Sequence, residues 1–190
     1  MIVAFEGLSC AGKSELIGAL RADYPVEYAV VPELIMDTTH GIDTYLCQVN
    51  DLAKSQMAEL LQATRPNVLV DRTFLSTEAY AYAEGVEDAQ ALEAWYVDKW
   101  EDGALLLPDL FVYLRLSPAE AMSRAHQIGR ASQPFAWYTA PERAYAYYEE
   151  YFSMPHYCVD TLTVNAEKPT AELVPIIHKA ITQGRAKHEG

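Results

Sequence analysis

The chain has 190 residues, 51% of them hydrophobic and 22% charged, the make-up of one soluble globular domain with a real core. Twenty-seven acidic residues against 14 basic ones leave a formal charge of −13, which argues against a nucleic-acid backbone as partner, since that needs a basic stripe. No stretch is apolar for long enough to span a membrane, and no basic segment precedes the first apolar run, so a signal peptide is not expected.

Met1 to Phe5 is an apolar run of strand length, and Leu16, Ile17 and Leu20 recur downstream at helical spacing. Between them, Gly7-Leu8-Ser9-Cys10-Ala11-Gly12-Lys13-Ser14 is a full match to G-x-x-x-x-G-K-[ST]. The pattern predicts strand, phosphate loop, helix. Gly7 and Gly12 take backbone angles that side chains forbid. The amides of Ser9, Cys10 and Ala11 complete an anion nest, and the following helix adds its positive end. Lys13 is expected to reach the outer phosphates and Ser14 to sit on Mg2+. Cys10, Cys47 and Cys158 are widely spaced and form no C-x-x-C, which predicts reduced thiols in a cytoplasm-like compartment.

Val26 to Val31 is a second strand candidate, ended by Pro32. Glu33 then stands just past a strand end, where sheets of this kind place ligands. A carboxylate there either accepts a proton from an attacking hydroxyl or holds metal through water. Residues 36–43 read as a loop, with His40 a loop histidine. Residues 44–64 read as a helix with Tyr45, Val49, Leu52, Met57 and Leu60 on one stripe. Gln48 and Gln56 lie near that stripe, each able to read a base edge or simply to be solvated. Val68-Leu69-Val70 is a short central strand that delivers Asp71-Arg72 to the same edge as Gly7. Asp71 is a candidate for the Mg2+ shell, and Arg72 for pinning an acceptor or stabilising phosphoryl charge.

A helix over 73–83 carries Tyr80 and Tyr82, which either line a pocket or pack in the core, and Gly85 breaks it. Asp88 to Glu101 is an amphipathic helix. Leu110 to Leu114 is the fourth strand, and Ser117-Pro118-Ala119-Glu120 starts a helix with a serine cap. That helix carries Arg124, and Arg130 follows in a loop suited to a lid over phosphates. A tyrosine-rich helix over 142–152, a fifth strand at 161–164 and a helix over 169–182 complete the chain, with 184–190 a frayed tail. Strands alternating with helices predict an α/β fold with a parallel sheet covered by helices.

Assembled, these pieces resemble the thymidylate kinase and deoxynucleoside kinase group of P-loop phosphotransferases. Three stretches carry the resemblance: FEGLSCAGKS, VDRTFLSTEAYAYAEG and LPDLFVYLRLSPAEAMSRAHQIGR. It implies a three-layer fold with a five-stranded parallel sheet and an Arg-bearing lid at about 128–140, in a single domain over 1–190. It implies ATP and Mg2+ as cofactors, Lys13 and Ser14 on the phosphates and metal, and Glu33 activating the acceptor hydroxyl. Arg72 would sit beside that acid and the acceptor, Arg130 with Arg124 would clamp the transferring group, and Gln48 would match a base-reading glutamine. Relatives dimerise through helices, so a homodimer is admitted. The pattern departs from thymidylate kinases at Val31-Pro32-Glu33-Leu34, at Ser9, and in lacking a clear acceptor arginine among residues 50–64; the lid run Gly129-Arg130-Ala131-Ser132 departs from deoxynucleoside kinases. The expected activity is transfer of the γ-phosphoryl of ATP to a small acceptor, a nucleoside or nucleoside monophosphate. The rivals are a nucleotide-dependent switch or regulatory ATPase, a kinase of a non-nucleoside compound, and a binding module without chemistry.

Overall fold

The structure, a computed structural model, describes residues 1–34, 43–86, 89–131, 140–154 and 159–188. Five parallel strands lie in the order β2-β3-β1-β4-β5, with β1 Ile2–Glu6, β2 Tyr28–Val31, β3 Asn67–Asp71, β4 Leu110–Arg115 and β5 Asp160–Asn165. Among the described residues seven helices cover the sheet: α1 Lys13–Asp23, α2 Thr44–Gln62, α3 Phe74–Glu84, α4 Ala89–Glu101, α5 Pro118–Gln127, α6 Pro141–Ser153 and α7 Thr170–His188. The central strands β1 and β3 are buried along their whole length, as runs such as Val68-Leu69-Val70 require when helices cover both faces.

Register aims the strand ends at one place. Val31 pairs with Val70 and Phe5 with Asp71, so Gly7, Glu33 and Arg72 emerge close together along the C-terminal edge. Local signals set the helix starts there. Thr73 Oγ1 caps α3 by accepting from Leu75 N at 3.4 Å. Ser117 Oγ accepts from Glu120 N at 3.3 Å, with Pro118 at the first position of α5. Gly85 ends α3 in the left-handed region, at φ 71°.

Two expectations fail. Most of the expected stripe on α2 faces outward: Tyr45 is 70% and Leu60 72% exposed, Leu52 alone of the five packs against the core, and Cys47, Asp51, Lys54 and Ala58 are buried. Asp51 and Lys54 tolerate burial because they find partners. Thr77 Oγ1 and Tyr96 Oη donate to Asp51 Oδ2 at 2.8 and 2.7 Å, and Lys54 donates to two backbone carbonyls. The expected frayed tail from Gly184 is instead helical to His188. Gly184 lies inside this helix, close to the flexible end of the Met1 side chain, and is not a helix stop. His40, Cys158 and most of the expected lid (132–139) lie outside the described residues.

Glu78 on α3 is buried and accepts from Tyr147 Oη at 3.0 Å. Burial, with Glu93 adding like-charge repulsion, pushes its carboxyl up to about 8. The folded state then holds a proton that the unfolded chain releases near 4.5, so stability falls as pH rises from 4.5 to about 8 and levels off above. Glu78→Gln is expected to remove that slope and stabilise the fold above pH 8 by up to about 5 kcal/mol, measured as urea unfolding across a pH series.

Candidate active site

The loop from Gly7 to Ser14 is built for close approach. Gly7 has φ 135°, and a Cβ there would stand 2.5 Å from Leu114 O; Gly12 has φ 91° and Cys10, unusually for a side-chain residue, φ 63°. No side chain caps the start of α1, so its first-turn amides are presented to an anion. Lys13 is buried and donates from Nζ to Gly7 O at 2.9 Å and Leu8 O at 2.7 Å. Burial, then the nearby Arg72 guanidinium, lowers its ammonium to about 7; a phosphate brought to this position would favour the charged form.

Arg72 is the hub. It holds a left-handed backbone at φ 66° directly after β3. Its Nη1 donates to Gly7 O, Ser76 Oγ and Tyr80 Oη, each at 3.1 Å, and Nη2 to Ser9 Oγ at 3.3 Å. Its Nε lies 2.6 Å from Glu33 Oε1. The N–H does not point along that line, since Nε counts among the buried donors without an aligned acceptor. The contact is a close charge pairing with a poorly aligned hydrogen bond, and a carboxylate has lone pairs left for another proton donor. Burial pushes Glu33 up, but Arg72, with Lys13 and Lys54 behind it, outweighs this and holds the carboxyl below its ordinary range. Glu33 is ionised at neutral pH with its side chain 42% exposed, charged and accessible at once.

Asp71 closes the other side. Its Oδ2 accepts from Ser14 Oγ at 2.6 Å, while Oδ1 is buried with no hydrogen-bond partner. An orphaned carboxylate oxygen beside the loop hydroxyl fits a hard cation such as Mg2+, which takes one or two protein oxygens and fills its shell from phosphates and water. Among the described residues no group of three or more His, Cys, Asp or Glu forms a self-sufficient metal cage.

Two charged groups that sequence reasoning missed support these residues. Glu6, buried at the end of β1, accepts from Thr73 N and Oγ1 at 2.6 and 2.7 Å and from Ser76 Oγ at 2.6 Å, tying the loop's root to the start of α3. Lys54 donates from Nζ to Asp71 O at 2.6 Å and Arg72 O at 2.7 Å, bracing the turn where Arg72 adopts positive φ. The available signal was weak: a lysine seven residues after Cys47 and three after Asp51, on a face that reads as solvated. Lys54→Met is expected to lower the chemical rate by about 10²-fold, the scale of a 1 Å misplacement. Nucleotide affinity, which the loop carries, should hold, and Lys54→Arg should recover part of the rate; steady-state kinetics with nucleotide titrations check this.

The structure thus brings together Gly7, Ser9, Lys13, Ser14, Glu33, Asp71, Arg72 and Tyr80. Arg124 reaches the same loop, with Nη1 3.4 Å from Cys10 O and Nη2 3.0 Å from Ala166 O. Arg130 does not join this network: it is exposed beyond α5, its amide bonded to Ala125 O at 2.9 Å. Gln48 is half-buried on α2, one turn before Asp51, and among the described residues no hydrogen bond joins it to the Arg72 cluster.

No family model and no curated protein matches the chain. Solved structures do. Deoxyadenosine kinase from M. mycoides with bound dATP superposes with a TM-score of 0.67 at 20% identity, over 96% of this chain and 100% of that one. The same enzyme with products dCMP and a flexible dCDP gives 0.62, and with bound dCTP 0.63, each at 22% identity over 96% and 100% of the two chains. The chain has a deoxynucleoside kinase fold. Of the two families it resembles in sequence, these neighbours stand with the second. The phosphate loop after β1, the acid after β2 and the Asp-Arg pair after β3 all lie along one edge of the sheet.

Proposed function

We propose that the protein is an ATP- and Mg2+-dependent kinase that transfers the γ-phosphoryl group to a hydroxyl of a nucleoside or deoxynucleoside. The observation that supports this most is the state of the cations along the sheet edge. Arg72 and Lys54 are committed to loop, backbone and Glu33 acceptors, Lys13 to the phosphate loop, and Arg124 to Glu120, Cys10 and Ala166. Residues 35–42 contain no Lys or Arg. Arg130 apart, which is exposed beyond α5, an acceptor phosphate would meet the Glu33 carboxylate with none of these described cations left over to balance it; an acceptor hydroxyl would meet a proton acceptor.

In this reading Ser14 and Asp71 hold Mg2+, which neutralises phosphate charge when bound. Lys13 and the loop amides hold the triphosphate, and the Gly7, Ser9, Cys10, Ala11 and Gly12 backbone shapes its bed. Glu33 accepts the hydroxyl proton, and Arg72 fixes Glu33 against the loop. Arg124 steadies the nucleotide side, Arg130 approaches from the lid, and Tyr80 and Gln48 line the acceptor side. Little covalent chemistry is asked of the protein; positioning and charge do the catalysis. Among the described residues no disulfide links Cys10 and Cys47, and no helix is long and apolar enough to cross a membrane; a cytoplasmic location belongs to the same proposal.

The test is ADP release with ATP and Mg2+ over a panel of nucleosides, deoxynucleosides and their monophosphates. Turnover stimulated by at least one nucleoside, about tenfold or more above its monophosphate, is the expected result. Stimulation by monophosphates alone would make it a nucleotide kinase. Basal ATP hydrolysis that no acceptor stimulates would favour the switch or regulatory ATPase.

A further inference from the structure

Among the described residues the largest fully buried side chain is Tyr148, in the second half of α6. Packing fixes its ring. It stacks with Tyr113 of β4, centroids 5.8 Å apart, and with Phe152 one turn further along α6, at 6.3 Å. Tyr113 is held in turn, its Oη donating to Glu149 Oε1 at 2.9 Å. A buried phenol needs a partner for its hydroxyl, and this one has two: Ser76 Oγ at 2.9 Å and Glu6 Oε2 at 3.3 Å. Burial, then the nearby Glu6 carboxyl, pushes the phenol well above its ordinary range, so it keeps its proton and acts as a donor.

Counting protons orients the cluster. Ser76 has one hydroxyl proton and two lone pairs. The proton goes to Glu6 Oε2 at 2.6 Å. The lone pairs are left for Arg72 Nη1 at 3.1 Å and Tyr148 Oη at 2.9 Å, so every site on that buried oxygen is filled. Donation toward the carboxyl makes the Ser76 oxygen a better acceptor for the guanidinium. Arg72 is oversubscribed. Its Nη1 carries two protons and faces three acceptors at the same 3.1 Å: Gly7 O, Ser76 Oγ and Tyr80 Oη. Its orientation therefore depends on how firmly each acceptor is held, and Tyr148 anchors Ser76 from outside α3. Without the phenol oxygen a Ser76 lone pair stands unfilled and the hydroxyl is free to turn. A guanidinium that swings toward Gly7 and Tyr80 draws Nε off Glu33 Oε1, now 2.6 Å away.

The geometry points to Tyr148 as a positioning residue for the proposed phosphoryl transfer: from α6, through the Ser76 hydroxyl, it holds the Arg72 guanidinium where Nε meets Glu33. This deepens the kinase reading and rests on it for the reaction. Among the described residues no hydrogen bond joins Tyr148 to Arg72 or Glu33, so it acts at two removes. Helix α6 and strand β4, which carry the phenol and its stacking partner, thereby bear on where the acid stands.

The experiment compares the full chain with Tyr148→Phe, Ser76→Ala and the double variant. Phenylalanine keeps the ring contacts with Tyr113 and Phe152, so the fold should hold, which far-UV circular dichroism and nucleotide titration verify. With the best acceptor, Tyr148→Phe is expected to lower kcat about tenfold, less than the ~10²-fold of a 1 Å misplacement, with nucleotide affinity unchanged. In the Ser76→Ala background the same change should add less than about twofold, because residues in one network do not act independently. A second readout needs no turnover. Burial pushes the Glu33 carboxyl up and Arg72 does most to hold it down, with Lys13 and Lys54 behind it. Followed by 13C NMR, with Glu33→Gln for assignment, that carboxyl should titrate at higher pH in Tyr148→Phe than in the wild type. A tyrosine that only packs would lower the unfolding midpoint in both backgrounds and leave the Glu33 titration in place. Unchanged kcat in Tyr148→Phe, losses that multiply across the two sites, or an unmoved Glu33 titration would each overturn the assignment. A wild-type chain without acceptor turnover would instead fail the kinase reading, and the NMR titration would still decide whether Tyr148 sets Arg72 against Glu33.

Discussion

Glu33→Gln is expected to lower acceptor-dependent phosphoryl transfer by about 10²–10⁴-fold, the range general-base catalysis contributes, while triphosphate affinity stays unchanged. Glutamine keeps the length of the side chain and an oxygen that Arg72 can still face, so the 2.6 Å approach of Nε to position 33 survives in outline. What disappears is the negative charge that an acceptor hydroxyl needs as it loses its proton. The triphosphate is held elsewhere, by the loop around Lys13. Arg72, Lys13 and Lys54 hold the carboxyl below its ordinary range, so the wild-type acid limb should lie below that of a free glutamate, and the variant should lack that limb. Steady-state kinetics over pH 4–8 with the best acceptor, alongside nucleotide titration, measure both parts. Near-full turnover would remove the base assignment. A rate restored by raising Mg2+ would instead make Glu33 an outer ligand of the metal, the other role its position allows.

The site was readable in the sequence to the extent that it depends on strand ends. A parallel sheet sends every strand's C-terminus to one edge, so a glycine loop after β1, an acid after Pro32 and an Asp-Arg pair after an apolar triplet were bound to converge once the strands were found. The braces were not readable for the opposite reason. Glu6 bonds residues 67 and 70 positions away, and Lys54 bonds backbone carbonyls, which leave no trace in side-chain pattern. A buried lysine that serves carbonyls looks, in sequence, like a solvated one. Helix α2 shows the cost: its apolar residues suggested the buried stripe, yet Asp51 and Lys54 take the inner face because their hydrogen bonds there offset desolvation. Arg130 follows α5 and is exposed, while Arg124, on α5 itself, touches the phosphate loop at Cys10 O.

Arg72→Ala is expected to damage fold and rate together, costing about 3–5 kcal/mol of fold stability, as breaking a buried charge network does, and about 10²–10³-fold in rate, the scale of losing a preorganised donor. The guanidinium serves Gly7 O, Ser76, Tyr80 and Ser9 with its two terminal nitrogens and Glu33 with the third. Without it the loop loses its anchor to α3, and Glu33 loses the largest influence lowering its carboxyl. The sign of the pH effect follows. A Glu33 carboxyl released from Arg72 titrates higher, so the acid limb of residual kcat/KM should move up in pH, whereas a purely structural defect would scale the whole profile without moving it. Arg72→Lys separates charge from shape. An ammonium restores the cation, and with it most of the position of the acid limb. It has three donors at one point, and cannot hold the loop carbonyl and Glu33 together across the planar fork that Arg72 spans. The lysine variant should therefore recover the pH profile without recovering the rate. If it recovers both, Arg72 acts as a charge alone, and the geometry that binds phosphate loop to acid through one side chain is not what the proposed transfer uses.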